Sequence, residues 1–458
     1  MLKILFRILS ANALALALKT VSGILFPRYM TTQDYAEYQT FSLYLSYLPI
    51  LSLGFPTGMF IKYGGQSVHS LDKSRYKSEF LLLIGILLAF AALFFGVWLV
   101  WPERMLLYIT LCIDPYCLVC SYQSLYQTWG EFGRYNRSLL AASAAPLMGS
   151  LVLLLAVKRL EAAWFIYLFI GTYGLLSALI CFKTARATRG VRAKPAFDEC
   201  NFETWKTGAA ICVGSYIYVL IHSLDKQVVK FAFDTTAFAE YSFALSLQSL
   251  VTVFITALSQ PMYHFLAKGR VPDSHYGVLM RLLLTFGALG GAAYHLCRCV
   301  VSWLLPAYVG SLDIVAVYFL AFPPMAVIPC LFINLYKLRR QKKAYLIRLT
   351  AILILSVVMN IVLLCLHKEP ISVAVATLLV NYIWFITDAK VFRQIGVSYK
   401  DGLFLLGHLA LYALSSRIPM PIAAGIVYLL LLCILCIGFY SREVGFALRY
   451  FISKEQKE

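Results

Sequence analysis

Apolar residues run through this chain in long blocks, separated by short polar stretches rich in Lys, Arg, Gly and Pro. A helix rising 1.5 Å per residue needs about 20 apolar residues to cross a hydrocarbon core of roughly 30 Å. About fourteen segments approach that length, near residues 9–27, 39–61, 80–101, 104–127, 138–157, 162–182, 207–224, 238–263, 280–304, 312–336, 345–366, 371–390, 403–417 and 421–440. They are apolar on every face and do not alternate with period two, so they predict helices rather than a barrel. The thirteenth is short and interrupted by Gly407 and His408.

The pattern recurs halfway along the chain. Residues 31–38 read TTQDYAEY and residues 235–241 read TTAFAEY, so Ala36-Glu37-Tyr38 returns as Ala239-Glu240-Tyr241. Each copy sits between two long apolar segments, and each second segment carries a proline, Pro56 in one half and Pro261 in the other. Duplicated membrane bundles with a cavity between them are the architecture of a transporter. The expected organisation is a six-helix lobe over 1–200, a second six-helix lobe over 205–400, and two extra helices with a tail over 401–458. An even number of helices per lobe brings the second lobe in from the same side as the first. The two are then related by a pseudo-two-fold axis along the membrane normal, around a central cavity that rocking opens to either side.

Composition agrees with the pattern. At 61% apolar and 14% charged residues, with a mean hydropathy of +0.76, the chain is far from the soluble globular range. Counting the N-terminus, every second loop and the C-terminus as one side collects about 30 Lys and Arg against about 9 on the other, which places both termini in the cytoplasm. The richest loops on that side are Lys183 to Lys206 and Lys337 to Arg348, and they account for most of the +18 net charge. Nucleic acid is not needed to explain it, and anionic membrane lipids are the natural contact. The start, Lys3 and Arg7 followed by SANALALAL, has the flank and spacing of a signal peptide, but its apolar run continues to Phe26, which is spanning length. The loops are too short for a folded domain of the kind carried by membrane glycosyltransferases or polymerases, and an ATPase P-loop is missing. The 12 cysteines lie mostly in apolar segments without zinc-ligand spacing. No metal, cofactor or catalytic constellation is expected, so the chain reads as a transporter and not an enzyme.

Charges inside spanning segments are expensive and therefore candidates for function. Lys19 interrupts the middle of the first segment; it either lines the cavity and attracts an anion or pairs with a buried acid elsewhere. His222-Ser223-Leu224-Asp225-Lys226 closes the seventh segment, with Lys230 one turn on. On a helix Lys226 and Lys230 share a face, which makes either a basic entrance or a headgroup anchor. Asp114 beside Pro115 offers a carboxylate where a carbonyl is freed; it can take a coupling proton or cation, or pair with a lysine. Asp225 and His222 are further candidates for ion coupling. Arg298, between Cys297 and Cys299, is a candidate for the cavity or an interfacial anchor.

With these residues in view, a resemblance emerges. The stretch from Ser10 to Gly65, with Lys19 and then TVSGILFPRYMTTQDYAEYQTF and LSLGFPTGMF, resembles the opening of bacterial oligosaccharide flippases. These belong to the multidrug/oligosaccharidyl-lipid/polysaccharide (MOP) exporter superfamily. SLDKQVVKFAFDTTAFAEYSFALSL, from Ser223, resembles the same family at its seventh and eighth helices. The resemblance implies a flippase that carries polyprenyl-pyrophosphate-linked oligosaccharide repeat units to the outer leaflet of the inner membrane for O-antigen, capsule or exopolysaccharide assembly. It further implies partnership with glycan polymerases or glycosyltransferases, and cationic cavity residues that Lys19 matches; Lys226 and Asp225 match the family's charged end of the seventh helix more loosely. Intramembrane cations are few here, which leaves open how anionic the cargo is. A multidrug or cation exporter of the same superfamily, a lipid II flippase and a non-transporting scaffold of a glycan assembly complex are the alternatives.

Overall fold

The computed structural model describes residues 14–15, 18, 21–63, 72–158, 160–192, 198–267 and 275–455, without the side chains at 260, 261, 264, 265, 267, 442, 444 and 446–455. The described residues form helices and connecting turns with no strand. Among the described residues, ten helices are long and apolar enough to cross a membrane, or up to twelve if two bent pairs each count as one span. Of the other two expected segments, about half of 9–27 falls outside the described residues, and its second part, 21–27, is helical. The segment at 403–417 is a helix, Tyr399–Ser416, less apolar than the rest because it carries Lys400, Asp401 and His408.

The chain divides into two compact units, Met1–Ser223 and Leu224–Glu458. The first contains residues 21–29 (α1), Thr32–Leu45 (α2), Phe55–Lys62 (α3), Lys73–Val100 (α4), Arg104–Thr128 (α5), Phe132–Val157 (α6) and Ala162–Ala187 (α7). Helix Glu199–Ala232 (α8) starts in the first unit and runs on into the second. The second unit continues with Thr235–Ala267 (α9), Tyr276–Ala288 (α10), Gly290–Leu304 (α11), Leu312–Leu320 (α12), Phe322–Val327 (α13), Ile333–Leu338 (α14), Lys342–Leu366 (α15), Pro370–Val391 (α16), Tyr399–Ser416 (α17) and Pro421–Glu455 (α18), the last kinked at Tyr440.

The repeated motif opens a helix in both units. Thr31 caps α2, its hydroxyl accepting the Asp34 N–H at 3.1 Å, and Asp234 does the same for α9 by accepting the Ala237 N–H at 2.9 Å. Ala36 and Ala239 are buried one turn in, where their small size lets a neighbouring helix approach. The first bend, of 61°, follows a 3-10 turn at Leu48–Ser52, where Leu53 and Gly54 take left-handed φ values of 53° and 77°. The second bend, of 53°, separates Pro306–Leu320 from Phe322–Leu338, next to Pro323 and Pro324, neither of which has an N–H to continue the ladder. A π-turn at Ile328–Phe332 follows. Ser259 of α9 donates to the Pro329 carbonyl at 2.8 Å, and Asn334 Nδ2 donates to the Ser259 carbonyl at 2.9 Å.

In lipid, burying one apolar side chain against another gains little over contact with acyl chains, so close packing and polar contacts hold the helices together. Phe41, Leu83, Cys112, Ile113, Val119 and Ile166 fill the first core. Leu88, Leu93, Val97, Leu99 and Val100 on α4 stay exposed, as a lipid-facing surface requires. In the second unit, Arg281 ties α10 to the terminal hairpin: Nε donates to Asp401 Oδ1 at 2.9 Å and Nη1 to Glu443 Oε1 at 2.7 Å. Buried Asp401 also accepts the Tyr440 hydroxyl at 2.9 Å.

Candidate functional site

Helix geometry places the cations of α8. Lys226 and Lys230 lie one turn apart, and their Nζ atoms stand 5.9 and 5.2 Å from the centroid of the Phe238 ring, which the first turn of α9 carries. Two ammonium groups drawn to one aromatic ring share a common aim, and the contact is worth about 0.5–2 kcal/mol per cation. Such a pair suits an oxyanion with several acceptor oxygens, such as a phosphate.

Asp225, on the adjacent side of the helix, turns into the core. It accepts the Tyr318 hydroxyl of α12, and the Tyr241 and Tyr318 hydroxyls lie 2.6 Å apart. The backbone N–H of Lys226 donates to its other oxygen at 2.8 Å. All three side chains are buried, so the carboxylate is held by hydroxyls in a water-poor setting. His222, one turn earlier on α8, has Nδ1 2.9 Å from the Tyr218 carbonyl and its ring 4.2 Å from the Tyr218 ring. Nδ1 therefore carries the proton in that contact, which leaves Nε2 as the acceptor.

Asp114 lies midway along α5, which continues unbroken through Pro115. It is half-buried and forms no ion pair or hydrogen bond among the described residues. Lys19 lies outside the described residues. Arg298 is engaged at the end of the terminal hairpin's first helix: Nη1 donates to the carbonyls of Ser416 and Ile418 at 3.0 and 2.9 Å, satisfying acceptors that α17 leaves open.

The first unit holds a charged cluster that we did not single out from the sequence. Glu79 of α4 is fully buried and accepts from Lys62 Nζ and the Tyr63 hydroxyl, with Arg75 Nε at 3.9 Å. Arg75 also grips Asp198 with both forks, Nη1 to Oδ2 at 2.7 Å and Nη2 to Oδ1 at 2.9 Å. Asp198 in turn caps α8 by accepting the Asn201 N–H at 2.9 Å. That N–H, and then the Arg75 guanidinium, hold the exposed Asp198 carboxyl below the usual carboxylate range. The sequence signal was a basic and acidic spacing of four at Arg75 and Glu79.

No family profile matches the chain, and no curated protein matches it in sequence. Solved structures do. One is described as the lipid II flippase MurJ in an inward closed conformation; it is 14% identical, with a TM-score of 0.62, over 95% of this chain and 99% of that one. Another is described as an inward-facing multidrug resistance MATE family transporter of the MOP superfamily; it is 11% identical, with a TM-score of 0.58, over 83% of this chain and 94% of that one. At these identities the likeness is one of fold. This chain is an all-helical, multi-pass membrane protein with the fold seen in the MurJ flippase and in a MATE transporter of the MOP superfamily.

Proposed function

We propose that this protein is a flippase that moves polyprenyl-pyrophosphate-linked oligosaccharide repeat units from the cytoplasmic to the outer leaflet of the inner membrane, with both its termini in the cytoplasm. The observation that carries this reading is the pair of lysines, Lys226 and Lys230, on one face of a membrane-crossing helix and drawn to one ring. A pyrophosphate headgroup does not cross a bare bilayer, because stripping water from an unpaired charge costs many kcal/mol. Fixed ammonium groups in a hydrated cavity offset that cost while the lipid tail stays in the bilayer. Lys19 adds a further cation within the first membrane segment. Asp114, with no partner among the described residues, is the group we assign to ion coupling, and Asp225 and His222 are held more tightly.

Lipid II as the cargo is the second reading. The likeness to the MurJ structure over 95% of the chain favours it, since lipid II shares the polyprenyl pyrophosphate. One experiment separates the two. The gene is deleted in its host and lipid-linked sugars are resolved by leaflet and mass. Complete surface-glycan repeat units trapped on the cytoplasmic side support our assignment, and trapped lipid II transfers it to the wall precursor. Normal distribution of both, with altered drug or cation sensitivity, overturns the flippase reading in favour of an exporter.

A further inference from the structure

The terminal hairpin, α17 and α18, buries polar side chains that packing alone does not require. His408, Tyr412 and Ser415 follow one another on α17 at spacings of four and three, which puts them on one face. That face meets His295 of α11 and Tyr428 of α18. His408, His295 and Tyr412 are 0%, 1% and 2% exposed. Leucine or phenylalanine would fill such space in a membrane protein with no polar atom to satisfy.

Their hydrogen bonds can be assigned from donor and acceptor counts. Ser415 has one hydroxyl proton and donates it to the Tyr412 carbonyl at 3.0 Å, so it accepts in its 3.2 Å contact with His295 Nε2. Nε2 therefore carries the His295 proton, and Nδ1 is a bare acceptor. Tyr428 is satisfied by donating to the Ala288 carbonyl at 2.6 Å. Four other buried atoms make no hydrogen bond among the described residues: His295 Nδ1, both ring nitrogens of His408 and the Tyr412 hydroxyl. A neutral imidazole presents one donor and one acceptor, so the four include acceptors on both histidines and donors on His408 and Tyr412. The Tyr412 ring centroid lies 6.1 Å from that of His295 and 6.4 Å from that of His408, so one phenol neighbours both imidazoles. Gly291 of α11 leaves the room for this cluster, because a Cβ there would stand 2.4 Å from the Tyr428 hydroxyl and 3.1 Å from Tyr412 Cδ2. The charged side chains along the same helices are engaged elsewhere. Asp401, two turns before His408, is held by Arg281, and Arg298, three residues after His295, donates to the Ser416 and Ile418 carbonyls.

We propose that His408, Tyr412 and His295 form a buried proton-relay site within the terminal hairpin, its members joined by bound water. Water donates and accepts at once, so it can pair the acceptors of this set with its donors, as it does for other buried polar groups. A proton taken up at one nitrogen of His408 is matched by one released from the other, and the ring ends neutral in its second tautomer. Histidine chains inside membranes serve such relays. The site belongs to the second unit, whereas Asp114 belongs to the first, and it needs no assumption about the cargo.

The full-length protein, labelled with nitrogen-15 at histidine alone, is reconstituted in lipid bilayers and observed by solid-state NMR. The His408 signals are identified as those lost in His408→Gln. In a hydrated relay the two His408 nitrogens average between tautomers and its N–H exchanges with bulk water. Tyr412→Phe should slow that exchange by about tenfold or more, because it removes the link towards His295. The Tyr412 hydroxyl has no protein partner, so its loss spares the fold. One fixed tautomer with a protected N–H would mean dry packing and overturn the proposal, as would exchange that Tyr412→Phe leaves unchanged. Hydroxyl-radical footprinting of the unaltered protein supplies a readout free of variants, since radiolysis turns bound water into a radical that oxidises the ring beside it. Tyr412 should oxidise about tenfold faster than Phe404, which is equally buried on the same helix. Equal rates would overturn the relay.

Discussion

The second membrane segment of the first unit bends by 61° between Ser52 and Phe55, whereas its counterpart by the repeat, α9, runs unbroken from Thr235 to Ala267. The fourth segment reverses the relation. In the first unit, α5 stays continuous across Pro115, while the second unit's corresponding segment bends by 53° between Leu320 and Phe322. A shared motif of cap, alanine and tyrosine therefore marks where helices begin, and local backbone chemistry decides where they break. A single interior proline is tolerated at Pro115 and Pro146. Breaking takes left-handed residues at Leu53 and Gly54, or the consecutive prolines Pro323 and Pro324. The repeated tyrosines diverge similarly. Tyr38 packs edge-on against Phe26 and Phe165, whereas Tyr241 shares a hydrogen bond with Tyr318 beside Asp225.

The largest test of this contrast lies in the hairpin, for which the first unit has no counterpart. Arg281→Ala leaves buried Asp401 without its cation and should destabilise the second unit by about 3 kcal/mol or more, while Arg281→Met with Asp401→Asn should recover much of the loss. Thermal unfolding in detergent reads both, and a negligible drop for Arg281→Ala would mean that the hairpin is not integral to the unit. Next comes the bend. Gly54→Ala must hold φ at 77° with a Cβ 2.8 Å from the Ala209 backbone, a cost of roughly 2–3 kcal/mol. Ala257→Gly, at the matching place in the unbroken helix, should cost only about 1 kcal/mol, and equal losses would erase the distinction between the copies. Smaller again, Tyr318→Phe should cost about 2 kcal/mol by stripping a buried carboxylate of a donor, against about 1 kcal/mol or less for Tyr38→Phe.

The smallest effect concerns Asp198. A carboxyl held below its ordinary value contributes stability above the unfolded pKa of about 3.9 and loses it as pH falls through the folded value. The thermal midpoint at low salt should therefore drop in that acidic window, and Asp198→Asn should flatten the drop without touching behaviour at neutral pH. A profile that Asp198→Asn leaves unchanged would remove this carboxylate from the acid-sensitive ties of the first unit.

Much of the fold was legible because lipid imposes a length and polarity rule on every segment. The exceptions follow from physics. The segment bearing Asp401 and His408 is polar because those side chains face neighbouring helices, where both are buried. The seventh-helix cations were readable, since Lys226 and Lys230 share a face by spacing alone, but Phe238 as their common ring depends on how α9 starts. Asp225 meets Tyr318 from 93 residues away, and Arg298 meets the Ser416 carbonyl from 118, pairings that local periodicity does not encode. The close approach of Gly58 to the Thr204 carbonyl, where a Cβ would lie 2.0 Å away, did leave a signal, the Gly-x-x-x-Gly spacing at Gly54 and Gly58, which marks close helix approach in membranes.

The tie between Arg281 and the hairpin also has a consequence in time. Asp401 is made 120 residues after Arg281, and Glu443 follows 162 residues after it. At about 5–20 residues per second, the arginine waits some 6–24 s in a half-built bundle before its first partner leaves the ribosome. Biogenesis of the second unit is thus incomplete until the last two helices insert, and a nascent chain stalled before them displays an unneutralised guanidinium that membrane quality control can recognise.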